Sequence, residues 1–373
     1  MHILHLHSSF DLGGKEARAV QLMNAFGDRA RHTVVSGVPG ALGARAAIDP
    51  RLKSAFPEDA PPLTGKPSVA RYQALAGYMR RFDLVLTYNW GAMDAVMARR
   101  LFPAGLPPLI HHEDGFNADE AKRLRTERNI FRRIALPAAH ALAVPSQKLE
   151  AIARDTWKQP DYRVHRIANG INTRLYAGRP DPGALPGFVR ADGEIVVGSV
   201  AGLRLVKNLP RLVRAVAATG KALRLVIVGE GPERAAIEAE AARLGVALTL
   251  PGFRAEPHRY VGLFDLYAIS SDSEQFPISL VEAMAAGLPV AATDVGDIAA
   301  MVAPENRPFV VPRGDEAALA GAIAALVADP ALRAQLGAAN RAKAVAEYDE
   351  QVMIARYGGL YGGAIGRSGA LAG

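Results

Sequence analysis

Short apolar runs alternate along the chain with longer stretches in which apolar positions recur every three or four residues. The first run, 3–7, is followed by a turn and a helical pattern over 15–26, with Ala19, Leu22, Met23 and Phe26 on one side. Residues 32–36 predict the next strand and 83–87 another, with a helix over 93–101 behind it. Two more strands are predicted at 109–112 and 141–145. Apolar runs this short, alternating with helices, predict a parallel sheet covered on both faces.

The periodicity breaks over 178–193, which holds three prolines and four glycines and predicts a linker. A second series follows: strands at 195–199, 224–228, 248–250, 266–270 and 289–292, and helices at 209–218, 233–244, 279–286 and 316–328. The expected architecture is therefore α/β, with two doubly wound, Rossmann-like domains. The expected divisions are 1–180, 190–345, and a final segment, 346–373, packing back on the first domain. Ligands of such sheets sit beyond the C-terminal ends of the strands, which places the expected site in a cleft between the two domains.

Composition narrows the chemistry. With 373 residues and half of them hydrophobic, the chain has enough apolar side chains for two cores. The absence of cysteine excludes disulfides, thiolate zinc sites and a cysteine nucleophile. A formal charge of +7 suits anionic partners such as nucleotide sugars and anionic lipids. The first residues carry no basic, then apolar, then small-residue pattern of a secretory signal, and the longest apolar runs fall short of a membrane span. A cytoplasmic protein is expected, at most peripheral to the membrane.

Several turns carry candidate chemistry. Gly13 and Gly14, in Asp11-Leu12-Gly13-Gly14-Lys15-Glu16, lie between the first strand and first helix. There backbone can approach an anion at a helix N-terminus, although an ordinary tight turn has the same sequence. Asn208 is a plausible N-cap with Pro210 in the first turn, which puts Lys207 at the positive end of a helix dipole. That placement is unfavourable by a few tenths to about 1 kcal/mol unless an anion lies between. Arg204 and Lys207 together could hold a diphosphate. Gly229, in Gly229-Glu230-Gly231-Pro232, could line a nucleotide pocket.

The most specific segment is 270–290. A polar loop, Ser270-Ser271-Asp272-Ser273-Glu274, leaves a strand. A helix opens near Phe276, Pro277, Ile278, Ser279 and Leu280, and Gly287 with Pro289 closes it. Glu274 and Glu282 are separated by seven residues and flank the helix start, where carboxylates could take hydrogen bonds from sugar hydroxyls. Ser279-x-x-Glu282 also fits a helix capping box, and Asp272 with Glu274 could be read as an acidic metal site.

At this segment the chain resembles the retaining glycosyltransferases of family 4, whose fold is GT-B. Gly13-Gly14-Lys15-Glu16 is similar to the family's Gly-Gly-x-Glu opening. Pro145-Ser146 and Ala168-Asn169-Gly170-Ile171-Asn172 resemble its middle motifs. Glu274 to Glu282 resembles its E-x7-E motif, and Glu282-Ala283-Met284-Ala285-Ala286-Gly287-Leu288-Pro289-Val290 is a close match. The resemblance implies that Glu282 binds the donor ribose and Glu274 the transferred sugar. Backbone from Phe276 to Leu280 would hold phosphate and sugar, Gly14 would approach the phosphates, and Lys207 would neutralise the leaving diphosphate. It further implies transfer with retention, and no cofactor and no metal beyond the nucleotide-sugar donor.

Two departures stand out. Where the family usually has an arginine five residues before this lysine, the chain has Gly202, and Arg204 is the candidate substitute. The family's functional histidine at a mid-domain strand end corresponds to either His111 or His112 in His111-His112-Glu113-Asp114-Gly115. His112 is taken as the catalytic candidate, and His111 and Asp114 as acceptor-side candidates.

The acceptor is expected to be a glycan or lipid-linked, in cell-surface polysaccharide or glycolipid synthesis. A basic stretch over 122–136 (Lys122, Arg123, Arg125, Arg128, Arg132 and Arg133 among apolar residues) suits an anionic membrane surface, although a solvated face over a buried stripe has the same pattern. Alternatives are a nucleotide-sugar epimerase, a nicotinamide oxidoreductase (disfavoured by the missing G-x-G-x-x-G) and a non-catalytic binding or scaffold protein on this fold. No nucleic-acid module is recognisable.

Overall fold

The computed structural model describes residues 1–11, 13–116, 120 and 124–371. Leu12 of the glycine turn, and Lys122 and Arg123 of the basic stretch, lie outside the described residues. The chain forms two compact units, Met1–Asn169 with Met353–Gly373, and Gly170–Val352.

The first unit is built on β1 (His2–His7), β2 (Arg31–Ser36), β3 (Ser54–Ala55), β4 (Leu84–Tyr88), β5 (Leu109–His112), β6 (Ala141–Val144) and β7 (Val164–Arg166). All pairings are parallel, in the order β3-β2-β1-β4-β5-β6-β7. Helices cover both faces, so the central strands are buried on both sides, which is why their sequences are nearly continuous apolar runs. Leu4, Leu6, Val85 and Leu109 face one core. Ile3, Leu84, Leu86, Tyr88 and Ile110 face the other, shared with Met353, Tyr357, Tyr361 and Leu371. The tail of the chain is thus part of this unit's interior.

The second unit is built on β8 (Ile195–Val200), β9 (Leu223–Val228), β10 (Ala247–Thr249), β11 (Leu266–Ile269), β12 (Val290–Thr293) and β13 (Val310–Val311). They are again all parallel, in the order β10-β9-β8-β11-β12-β13. In each sheet the winding reverses once, between β1 and β4 and between β8 and β11. Such a reversal parts the loops at the C-terminal strand ends and leaves a crevice for a ligand.

The stretch 178–193 is not a free connector. Asp181 donates its backbone N–H to the Arg259 carbonyl at 2.7 Å and accepts from the Arg259 guanidinium at 2.6 Å. Leu185 and Phe188 are buried. Its prolines and glycines shape a strap laid on the second unit, whose chain begins at Gly170. No single helix among the described residues is long and apolar enough to cross a membrane.

Candidate functional site

In the second unit the candidate residues gather at the crevice between β8 and β11. After β8 the chain makes a 3-10 turn, Leu205–Lys207, and enters the helix Leu209–Ala218 through Asn208, whose φ is 45°. Asn208 does not cap that helix with its side chain; its amide donates to Asp272 at 3.0 Å. The loop after β11 grips the same turn: the Ser270 hydroxyl donates to the carbonyls of Lys207 and Asn208, and Asp272 N–H to that of Val206. These bonds fix the Lys207 backbone against the segment that carries Glu274.

The Lys207 ammonium donates to Glu274 Oε1 at 2.6 Å, and the Ser271 hydroxyl donates to the same oxygen at 2.7 Å. The anion that meets the lysine beside the helix start is therefore Glu274. Asp272 is held separately by Arg211 at 2.7 Å. Each acid of the pair that the spacing offered as an acidic site has its own cation. Among the described residues no three His, Asp or Glu side chains converge as metal ligands. The backbone of Glu274 rests on Gly296 (φ 63°), where a Cβ would stand 2.5 Å from the Glu274 carbonyl oxygen.

The helix after this loop spans Ile278–Ala285 and starts one residue earlier than predicted, with Pro277 as N-cap and no side-chain cap bond. The capping box therefore does not form. Glu282 instead is hydrogen-bonded to Tyr176. Burial pushes its carboxyl up to about 7, the hydrogen bond to Tyr176 opposing the shift. Phe276 packs edge-on against Tyr348, ring centroids 5.7 Å apart. Gly229 (φ 154°) lies against the loop after β8, where a Cβ would fall 1.9 Å from the Ala201 carbonyl oxygen. Arg204 is exposed and its side chain lies over Gly202: a Cβ there would stand 3.5 Å from the Arg204 Nε.

In the first unit the glycine turn follows β1. Gly13 precedes the helix Gly14–Phe26. A Cβ on Gly13 would meet the Glu16 carboxylate at 2.7 Å, whereas one on Gly14 would meet nothing within 4 Å. Lys15 pairs with Glu16, and burial holds its ammonium down at about 8. Arg18, one turn on, is buried and binds both oxygens of Asp114 and the Asn169 side chain, with Tyr357 5.4 Å from its guanidinium. Asp114 is thus the counter-ion of a buried arginine.

His111 and His112 point to opposite faces of the sheet, because side chains alternate along a strand. His112 is buried among Tyr88, Tyr357 and Tyr361, with Nδ1 3.2 Å from the Thr87 carbonyl and Nε2 2.8 Å from the Tyr361 hydroxyl. Burial lowers its pKa well below the usual imidazole value, so the ring is neutral. Both nitrogens are engaged, which leaves none open to a substrate. His111 bonds Thr87 through Nδ1 at 2.8 Å, and its buried Nε2 has no hydrogen-bond partner. That nitrogen faces Glu113 at 3.8 Å, and Glu113 takes a bond from buried Arg132 at 3.2 Å. Of the two histidines, only His111 has an uncommitted nitrogen.

Two family models fit the chain. "Glycosyltransferase Family 4" matches residues 12–175, and "Glycosyl transferases group 1" matches 186–343. Together they take in most of both units. The chain belongs to glycosyltransferase family 4. Among relatives, a GDP-mannose-dependent alpha-mannosyltransferase of Mycobacterium tuberculosis is 32% identical over 198 residues, 53% of this chain and 50% of that protein. The chain spans about half the length of the curated relatives it matches. Among solved structures, Anabaena HepE in complex with UDP superposes with a TM-score of 0.77 at 22% identity, over 96% of this chain and 98% of that one. The sucrose-phosphate synthase of Thermosynechococcus elongatus superposes with a TM-score of 0.75 at 22% identity, over 99% and 100%. The fold is the GT-B fold of this family, two parallel-sheet α/β units.

Within this family 4 chain, sequence reasoning missed Ser271, Tyr176, Arg18 and Gly296. Ser271 was within reach, three residues from Glu274. Tyr176 and Arg18 act over long separations that no local pattern reports.

The raised carboxyl of Glu282 has a testable consequence. Between its ordinary value of 4.5 and about 7 the folded state holds a proton that the unfolded state releases. Stability contributed by this group is therefore full below 4.5 and declines as pH rises to about 7. Glu282→Gln should flatten that decline. Urea unfolding at pH 5 and pH 8 is expected to show a smaller loss in the variant than in wild type, and equal losses would rule the protonated carboxyl out.

Proposed function

We propose that this family 4 member is a retaining, metal-independent glycosyltransferase. It moves a sugar from a nucleoside-diphosphate sugar to a glycan or lipid-linked acceptor in cell-surface polysaccharide or glycolipid synthesis. The observation that carries the reading is Lys207 held 2.6 Å from Glu274 at the crevice between β8 and β11. A cation poised there by backbone contacts can move from carboxylate to diphosphate without reorganising the loop. The names of the relatives support a nucleotide-sugar donor, since one is GDP-mannose-dependent and HepE was solved with UDP.

In this mechanism the bond from the anomeric carbon to the diphosphate oxygen breaks, and its electron pair stays on phosphate. Lys207 stabilises that charge, and Arg204, lying over Gly202, takes the place of the family's missing arginine. Glu282 accepts from ribose hydroxyls and Glu274 from the sugar. Backbone of 276–280 holds phosphate. The acceptor hydroxyl attacks the face the leaving group departs from and passes its proton to the phosphate. Of the two histidines His111 is the acceptor-side candidate, its Nε2 lacking a hydrogen-bond partner although buried beside Glu113. The protein acts on the cytoplasmic side. Exposed Ile130 and Ile134, beside Arg133 on the helix Thr126–Ala135, would meet an anionic bilayer, a contact that vesicle flotation at low and high salt checks.

The test of the function is a thermal-shift panel of UDP, GDP, ADP, CMP and their sugars in EDTA, on wild type and Glu282→Ala. One nucleotide family should stabilise wild type, by about 2.7 kcal/mol at a hundred times Kd, and the variant less. No shift with any of them would turn the reading to a non-catalytic role.

A further inference from the structure

The first unit carries an open groove of about 920 Å3 that none of the transfer residues lines. One wall is β7, the last strand of the sheet. The floor is the helix Glu350–Ala364, which presents Ala355, Gly359 and Gly363. These positions recur every four residues and so share a face. A Cβ on Gly359 or Gly363 would meet nothing within 4 Å, so the floor is open.

Arg163, Arg166 and Arg356 line the groove with His140 and His165. Among the described residues its one carboxylate is Glu150, already taken by Arg154 at 3.1 Å and Arg166 at 2.9 Å. Arg163 and Arg356 have no carboxylate partner among the described residues. Arg356 gives one N–H to the Arg166 carbonyl at 2.8 Å, and the Nε of Arg163 is buried with no partner. His165 is held below the usual imidazole range by burial and then by His140 and Arg356. Arginines on an edge strand also guard against strand pairing. That accounts for Arg166, but not for Arg163 in the turn before the strand, for Arg356 on the helix or for the unfilled floor.

We infer that this groove binds an anionic oligosaccharide, a chain bearing sulfate, phosphate or uronic acid, with Arg163 and Arg356 pairing its charges. Guanidiniums pair planar oxyanions through charge-assisted, often bidentate bonds. Tyr162, 75% exposed, and exposed His140 offer flat apolar rings with polar tips to sugar faces. An acidic peptide fits less well, because β7 has three residues and Arg356 occupies its last carbonyl. The saccharide half of the assignment rests on the transferase reading; the anionic half does not.

The experiment is fluorescence anisotropy with a labelled heparin-derived hexasaccharide at low salt. Wild type should bind, and neutral maltohexaose should not compete. Arg163→Ala with Arg356→Ala should weaken binding at least tenfold. Gly359→Leu, which fills the floor and leaves every charge in place, should do the same. Melting temperature and the nucleotide-induced shift should stay at wild-type values in both variants. No binding by wild type, or wild-type binding by Gly359→Leu, overturns the proposal. Equal competition by poly-glutamate of matched charge overturns the saccharide assignment. A failed nucleotide panel with groove binding intact removes the transferase reading alone.

Discussion

Replacing Lys207 by alanine is expected to lower kcat for sugar transfer about 10²–10³-fold, the range found when one preorganised charge-stabilising group is removed from an active site. The ammonium is positioned before any ligand arrives. The loop after β11 holds its backbone through Ser270 and Asp272, and Glu274 holds its tip at 2.6 Å. Charge on a leaving diphosphate grows as the glycosidic bond breaks, so the loss should fall mainly on kcat and less on KM. Lys207→Arg should recover part of the rate. Initial-rate kinetics with the donor found in the nucleotide panel would decide it. A Lys207→Ala enzyme within threefold of wild type would remove this residue from the mechanism.

The largest effect on stability is expected at Arg18. Its side chain is 3% exposed and binds both oxygens of Asp114, itself 12% exposed, with Asn169 and the Tyr357 ring completing its surroundings. Arg18→Ala leaves a buried carboxylate with no counter-charge, and breaking such a pair costs about 3–5 kcal/mol. Asp114→Asn with Arg18→Met removes both charges and should recover much of that loss. Denaturant unfolding followed by the near-ultraviolet signal of the first unit's tyrosines reports it. A cost under about 1 kcal/mol for Arg18→Ala would mean that water reaches the site. The contacts join the first helix, the loop after β5 and the chain's last helix, so the variant should also loosen the tail.

Much of the fold was legible because strands buried on both faces leave unmistakable apolar runs. The strands at 3–7, 195–199 and 266–270 and the helices at 209–218 and 316–328 appear within a residue of their predicted bounds. Strands of two or three residues, such as β3, β7 and β13, carry too few positions for a period to show. The strap at 178–193 misled because proline and glycine mark irregular backbone whether it is free or packed. The candidate site divides similarly. Lys207 and Glu274 come together because each follows a strand at the winding reversal, which the strand order makes foreseeable. The exchange of a capping box for the Tyr176 bond at Glu282 was not foreseeable, since that partner lies on a distant turn of the chain. The two histidines differ only in which face they take: neighbours on a strand cannot point to the same side, and here both sides are cores, so burial alone does not choose between them.

The tail's place in the first unit also sets an order of events during synthesis. Tyr357 and Tyr361 complete the core that contains Ile3, Leu86 and Ile110, yet residues 170–352 must be translated between them. The second unit is one continuous stretch and can close as soon as it clears the ribosome. The first, although made earlier, waits with a gap in its interior until the last helix emerges. Domains usually fold in the order in which they are made; here the later-made unit is the first able to finish, and a ribosome stalled before residue 353 would carry one folded unit and one incomplete one.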